Sequence, residues 1–241
     1  MSGLFSASSW GKVWAYRSTF TLGFLNTVAV AIVGVLLALI IGIIMGLMAT
    51  SNKKILRAIS RIYVELIQNT PVLLQICFLY YILAFSGHSI GIMPSGIIAL
   101  GIYHGAYVAE VIRAGIGAIP KGQFEAADAQ GFSYFQKMSL IILPQSVKII
   151  LPPMVNQIVN LIKNTSCLYI IGGADLISLT YSFVTGATTG GAYAPAYILC
   201  GVLFLIICFP LSKLASIWES NLKARNARTN TIATNNKEVA V

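Results

Sequence analysis

Residues 18–52 read STFTLGFLNTVAVAIVGVLLALIIGIIMGLMATSN, and this run contains no Asp, Glu, Lys or Arg. About 20 apolar residues cross a bilayer as a helix, so the run spans a membrane with residues to spare. Residues 176–212 form a second window free of charge. The rest of the chain agrees with these two windows: of 241 residues, 57% are hydrophobic and only 10% charged. A water-soluble domain carries roughly 25% charged residues. So few charges cannot clothe a water-facing surface of this size, and lipid must be the solvent. In lipid every backbone polar group has to be satisfied within the chain, which helices do. The expected fold class is all-α, an integral membrane helical bundle.

Charge-poor, helix-length segments mark about five spans. They cover about Thr21–Ala49, Ile59–Ala84, Ser95–Ile112, Ile149–Ile171 and Ala194–Ile217. The second is interrupted by the polar Gln68-Asn69-Thr70-Pro71. The fourth carries Asn156, Asn160, Lys163 and Asn164 and is the least apolar. Residues 1–222 make one transmembrane domain. The polar remainder, 223–241, has no helical periodicity and is expected to be a disordered tail.

Lys and Arg set the expected orientation. In a five-span arrangement, 13 of the 16 basic residues fall on one side, in the first and third connections with their flanks and in the tail. The connections 86–94 and 172–193 hold none. The positive-inside rule puts the basic side in the cytoplasm, with the amino terminus outside and the carboxy terminus inside. The net charge of +9 is thereby explained by topology, and no nucleic-acid partner is expected. The start lacks a basic n-region and a cleavage site, so the first span is expected to be uncleaved. Cys77, Cys167, Cys200 and Cys208 sit in apolar runs without metal or redox spacing and are expected to pack as small residues.

The connection Arg113–Gln145, RAGIGAIPKGQFEAADAQGFSYFQKMSLIILPQ, is the most informative stretch. Pro120 suits the first turn of a helix, where its missing N–H costs nothing. Glu125 and Asp128 complement the positive end of the helix dipole. Phe124, Ala127, Gly131 and Phe135 follow at spacings of three and four and are expected to share a stripe. A short helix with a face of small residues and Phe, needing a partner, is the expectation.

Glu125-Ala126-Ala127, Gly131, Ile141 and Leu143-Pro144 resemble the EAA loop of ABC-importer permeases, E-A-A-x3-G-x9-I-x-L-P, at every fixed position. The resemblance implies a type I ABC importer permease fold. It also implies that Pro120, Gly122, Glu125, Ala126, Ala127, Gly131, Leu143 and Pro144 couple the chain to an ATPase subunit. Further stretches, VELIQNTP at 64–71, AYVAEVIR at 106–113, PPMVNQ at 152–157 and KNTS at 163–166, resemble the polar amino-acid branch, the histidine/glutamate/glutamine/arginine permeases. That family commonly has Arg where Gln68 stands and Asp where Asn164 stands. It implies ABC ATPase subunits that use ATP and Mg, a second permease copy or close homologue, an extracytoplasmic solute-binding protein and an amino-acid substrate. No cofactor is expected on this chain, and its place is the bacterial inner membrane.

Polar side chains within spans are costly and face a bundle interior or an aqueous cavity. Asn156, Asn160, Lys163 and Asn164 fall on one helical face, as do Glu65, Gln68 and Asn69, with Thr70 next before Pro71. The two stripes are candidate walls of a solute path, offering donors, acceptors and both signs of charge to a zwitterion. Hydrogen-bonded helix-to-helix contact and a direct Lys163–Glu65 ion pair are the alternatives. Tyr103, Tyr107 and Glu110 share another stripe, with Arg113 as the expected partner of Glu110. His88 and His104 are read as structural.

The leading expectation is thus the permease subunit of an ATP-driven importer of a polar amino acid. The chain has no G-x-x-x-x-G-K-[ST] phosphate loop of its own, so hydrolysis belongs to another subunit. A secondary transporter or channel acting alone is the alternative, but it usually needs more spans or repeats and leaves the EAA-like loop unexplained. An intramembrane enzyme lacks H-E-x-x-H, G-x-S-x-G or paired histidines.

Overall fold

The computed structural model describes residues 6–189 and 191–222. The polar tail expected over 223–241 lies outside the described residues. Among them every regular element is helical. A short helix α1 (Ala7–Ala15) precedes α2 (Arg17–Ala49). A broken pair follows, α3 (Lys54–Gln68) and α4 (Val72–Phe85). Next come α5 (Ile92–Gly117), the loop helix α6 (Lys121–Ala129) and the long α7 (Tyr134–Ile171). A ten-residue α8 (Leu176–Thr185) leads to α9 (Tyr193–Leu222). Four helices, α2, α5, α7 and α9, are long and apolar enough to cross a membrane, and the broken pair makes up to five spans.

α2 and α5 form the centre. Gly34, Ala38, Gly42 and Gly46 are buried at every fourth position of α2, the small-residue stripe that lets two membrane helices approach closely. A Cβ added at Gly42 would stand 2.2 Å from Val108 Cγ1, and one at Gly101 would stand 2.7 Å from Leu37 Cβ. The opposite face of α2, with Leu25, Ile32, Leu36, Ile40 and Ile43, is exposed, as lipid contact requires.

The second expected span is not one straight helix: α3 and α4 meet at 102°. Pro71 has no N–H for the Ile67 carbonyl four residues back. Gln75 Nε2 supplies it instead, at 2.9 Å, and also donates to Thr70 Oγ1 at 2.6 Å. Asn69 Nδ2 donates to the Glu65 carbonyl at 2.6 Å and the Thr70 hydroxyl to that of Leu66 at 3.1 Å. The elbow is therefore a hydrogen-bonded corner. Ser60 Oγ, donating to Met45 O at 2.8 Å, and Tyr63 OH, donating to Ile102 O at 2.6 Å, pin α3 to α2 and α5.

α7 begins well before the expected Ile149, because a π-helical stretch, Lys137–Ile142, carries the helix through Pro144. Beyond Asn164 it tightens into a 3₁₀ segment, Thr165–Ile171, that ends at Gly172 with φ +77°. α8 was not expected. Its start is held by α2: Thr27 Oγ1 accepts from Leu176 N–H at 3.0 Å, and Asn26 Nδ2 donates to Ala174 O at 2.8 Å. Asp175 caps α8 by accepting from Ile177 N–H at 3.0 Å and from the Ser178 hydroxyl. The four cysteines are free thiols within the apolar packing, Cys200 and Cys208 fully buried.

Candidate functional site

The loop helix α6 is built from both ends. Pro120 stands before it in extended backbone, φ −56° and ψ 136°. At the far end Phe132 N–H reaches back to Ala127 O at 3.1 Å, and Gly131 N–H to Asp128 O at 3.0 Å. These are the two bonds of a Schellman closure, which demands a left-handed residue at the turn. Gly131 supplies it with φ +76°. The Glu-Ala-Ala run occupies the second half of this nine-residue helix, and Gly131 ends it.

The three residues of the Glu-Ala-Ala run divide. Glu125 and Ala126 are exposed, whereas Ala127 is 1% exposed and turned inward. Partly buried Phe124 packs with Ile116, Ile119, Met138 and Ile142, the cluster that joins the ends of α5 and α7. Lys121, Gly122 and Pro120 are exposed. Two braces tie α6 to α7: Lys137 Nζ to Asp128 Oδ1 at 2.5 Å, and Gln145 Nε2 to Gln123 Oε1 at 3.2 Å. Neither was foreseen. Leu143 is partly buried against the same cluster, while Pro144 sits exposed at the first turn after the π segment. The expected stripe of Phe124, Ala127, Gly131 and Phe135 does not exist on one helix. Gly131 stops α6, a new start capped by Ser133 and Gln136 follows, and Phe135 is left 78% exposed.

The second candidate region lies along α5. Tyr103, Tyr107 and Glu110 share one face by helical spacing, and none is fully buried. The tyrosine hydroxyls are 3.0 Å apart and their ring centroids 5.1 Å. Gln68 borders this face from α3, its amide 3.4 Å from Ala106 O. Asn164 borders it from α7, its Nδ2 3.1 Å from His104 Nε2. One residue of each expected stripe, Gln68 and Asn164, thus reaches α5. On α7, Asn156, Asn160 and Lys163 are exposed, a polar strip on an apolar helix.

At the Lys- and Arg-rich end this face opens into a groove of about 660 Å³, lined among others by Arg57, Arg61, Glu65, Gln68, Glu110 and Arg113. Glu65 pairs with Arg61 at 2.7 Å, and Glu110 with Arg113 at 2.5 Å. Glu65 does not pair with Lys163, which lies beside Ser166, Phe204 and Cys208 against α9. Asn69 and Thr70 spend their side chains on the elbow. Arg57, Arg61 and Gln75 went unmarked as site residues. The first two are visible as an i, i+4 row ahead of Glu65, whereas Gln75 carries no local signal. No group of three His, Cys, Asp or Glu side chains able to hold a metal occurs among the described residues.

Residues 38–223 match the family model described as binding-protein-dependent transport system inner membrane component. The chain is 35% identical over 206 residues to a probable glutamine ABC transporter permease protein, GlnM, of Bacillus subtilis, covering 86% of this chain and 94% of that one. It is 33% identical over 200 residues to the inner membrane amino-acid ABC transporter permease protein YhdY of Escherichia coli, covering 82% of this chain and 54% of that one. Among solved structures, a crystal structure of an amino acid ABC transporter with histidines superposes at a TM-score of 0.79 with 31% identity, over 87% of this chain and 96% of that one. The MetNI methionine ABC transporter, in inward-facing conformations, shares the fold at a TM-score of 0.68 and 17% identity, over 85% and 98% of the two chains.

Proposed function

We propose, from the premise that this chain belongs to the family of binding-protein-dependent transport system inner membrane components, that α6 is its coupling element and that the α5 face is one wall of its solute path. The chain is a permease subunit of an amino-acid ABC importer in the bacterial inner membrane, and ATP is hydrolysed by a separate subunit. The observation that carries the proposal is the split of the Glu-Ala-Ala run. Glu125 and Ala126 point outward on a helix closed by Gly131 and braced by Lys137 and Gln145, while Ala127 locks it to the bundle. A push on the exposed side passes through the Phe124–Met138–Ile142 packing into α5 and α7. Close-packed interiors transmit such strain instead of absorbing it.

The basic end faces the cytoplasm in this reading, and α6 docks there on an ABC ATPase subunit. Closure of two ATPase subunits moves two such helices and switches the path from outward- to inward-facing. A second copy of this chain, or a close homologue, covers the polar strip Asn156, Asn160 and Lys163, which lipid cannot solvate. An extracytoplasmic binding protein delivers the substrate, a polar amino acid. Glutamine is the substrate named for similar permeases and is the one to test first.

The chain, its ATPase partner and the binding protein are reconstituted in liposomes. Uptake of labelled glutamine is expected only with ATP inside the ATPase-bearing compartment, and Glu125→Lys is expected to abolish it while the helix bundle remains folded. Uptake driven by an ion gradient after removal of the ATPase would overturn the proposal.

A further inference from the structure

His104 sits about midway along α5, 2% exposed, between the tyrosine face and α7. Asn164 Nδ2 lies 3.1 Å from its Nε2. With the amide nitrogen facing the ring it donates, Nε2 accepts, and this arrangement requires the ring proton on Nδ1. Nδ1 has no hydrogen-bond partner and is the one such buried side-chain atom among the described residues. His104 borders a small void of about 10 Å³ that Gln157 and Leu161 of α7 also line. Gln157 is the other polar side chain there and lies close enough to the ring to interact with it directly. Asn164 Oδ1, by contrast, has no hydrogen bond and is not buried. Asn164 is half-buried beside His104, whose ring packs against Tyr103 and Tyr107.

We propose that His104 sets the hydrogen-bonding character of the solute path. It holds the Asn164 amide so that the oxygen, and not the NH₂, meets the passing solute, with Gln157 as the other polar neighbour of the ring. The proposal rests on the reading that the Asn164 border of the α5 face lines the path. Its consequence is a substrate class. An uncharged acceptor satisfies a neutral donor such as a carboxamide N–H or a hydroxyl. A side-chain carboxylate brings no donor, and a side-chain ammonium brings a charge that a lone amide oxygen does not neutralise. The path is therefore matched to amino acids with neutral polar side chains. His104 acts through Asn164 and is a positioning residue.

Equilibrium binding of labelled glutamine and labelled glutamate is measured on the purified permease–ATPase complex without binding protein, in wild type, His104→Leu, His104→Gln and Asn164→Leu. Loss of the constraint frees the amide to turn its NH₂ outward. One hydrogen bond is worth about 1 kcal/mol, so the glutamine-over-glutamate ratio is expected to fall about fivefold in His104→Leu. His104→Gln, which keeps an acceptor in place, is expected to stay within about threefold of wild type. Complexes labelled with ¹⁵N-histidine supply a second readout, which holds even if His104→Leu fails to fold. The difference spectrum of wild type against His104→Gln should show the Nδ1-protonated tautomer. A ratio altered in Asn164→Leu but not in His104→Leu, or an Nε2-protonated tautomer, overturns the positioning role and leaves the path reading standing. A ratio unchanged in both leucine variants overturns the path reading and the inference with it.

Discussion

Replacing Gly131 tests the coupling helix with the fewest confounding effects. A Cβ built there meets nothing within 4 Å, so no clash enters the comparison and the whole effect is conformational. The residue stands at φ +76°, where a side-chain-bearing L-residue costs roughly 1–2 kcal/mol. Asn bears the least of this cost, and a β-branched residue the most. Such a cost lowers the ratio of closed to open helix end by about 5–30-fold. It falls on the Phe132–Ala127 bond that ends α6 one residue past Gln130. The assay is the affinity of the solubilised chain for its ATPase subunit, together with binding-protein-stimulated ATP hydrolysis in liposomes. Affinity and stimulation are expected to decline in the order Gly, Asn, Ala, Val, with Val weakened by up to that factor and bundle stability little changed. If Gly131→Val docks and stimulates as the glycine does, the closure plays no part in coupling.

Four further substitutions address the frame. Gln75→Leu leaves the Ile67 carbonyl and the Thr70 hydroxyl without their donor and is expected to cost about 1–3 kcal/mol, read as a lower denaturation midpoint in detergent; an unchanged midpoint means the elbow does not need its amide clasp. Gly42→Ala puts a methyl 2.2 Å from Val108 Cγ1 and 2.9 Å from Gly105 O, and overpacking of roughly 1–3 kcal/mol should push α2 and α5 apart, measurable by cross-linking between them. Thr27→Val orphans the buried Leu176 N–H; a loss of about 1–3 kcal/mol should appear as faster protease cleavage around α8. Lys137→Met removes the brace from a Lys137 side chain that is 13% exposed to an Asp128 side chain that is 59% exposed; with one partner still in solvent the pair is expected to be worth about 1 kcal/mol, and bundle stability unchanged in the variant would show that the brace carries nothing.

The distribution of charge along the chain marks most of the spans. The empty windows located α2 and α9, and the Glu-Ala-Ala to Gly spacing located α6 with its stop. Gln68-Asn69-Thr70-Pro71 announced a break in the second span but not its angle. The angle depends on Gln75, a residue whose polarity gains meaning only when Ile67 O is found beside it. α1 and α8 were missed for a related reason. Each is about ten residues or fewer, too short for a periodic pattern to stand out, and each is held by contacts distant in sequence, Val13 among Phe183 and Ala196, and Leu176 on Thr27. The polar residues of the spans were legible as a set, but their partners were not. Spacing along one helix could pair Glu110 with Arg113, yet it could not choose between Arg61 and Lys163 for Glu65, nor bring His104 to Asn164 across 60 positions of chain.

The 102° corner gives the molecule a bracket. α3 has 15 residues, which at 1.5 Å per residue is an arm about 22 Å long. Clasped at the elbow by Gln75 and fastened along its length to Met45 O and Ile102 O, it holds Arg57 and Arg61 out at the mouth of the groove while Gln68 stays at the inner end against Ala106. Charge at the rim is thereby kept an arm's length from the tyrosines at the middle of the bundle.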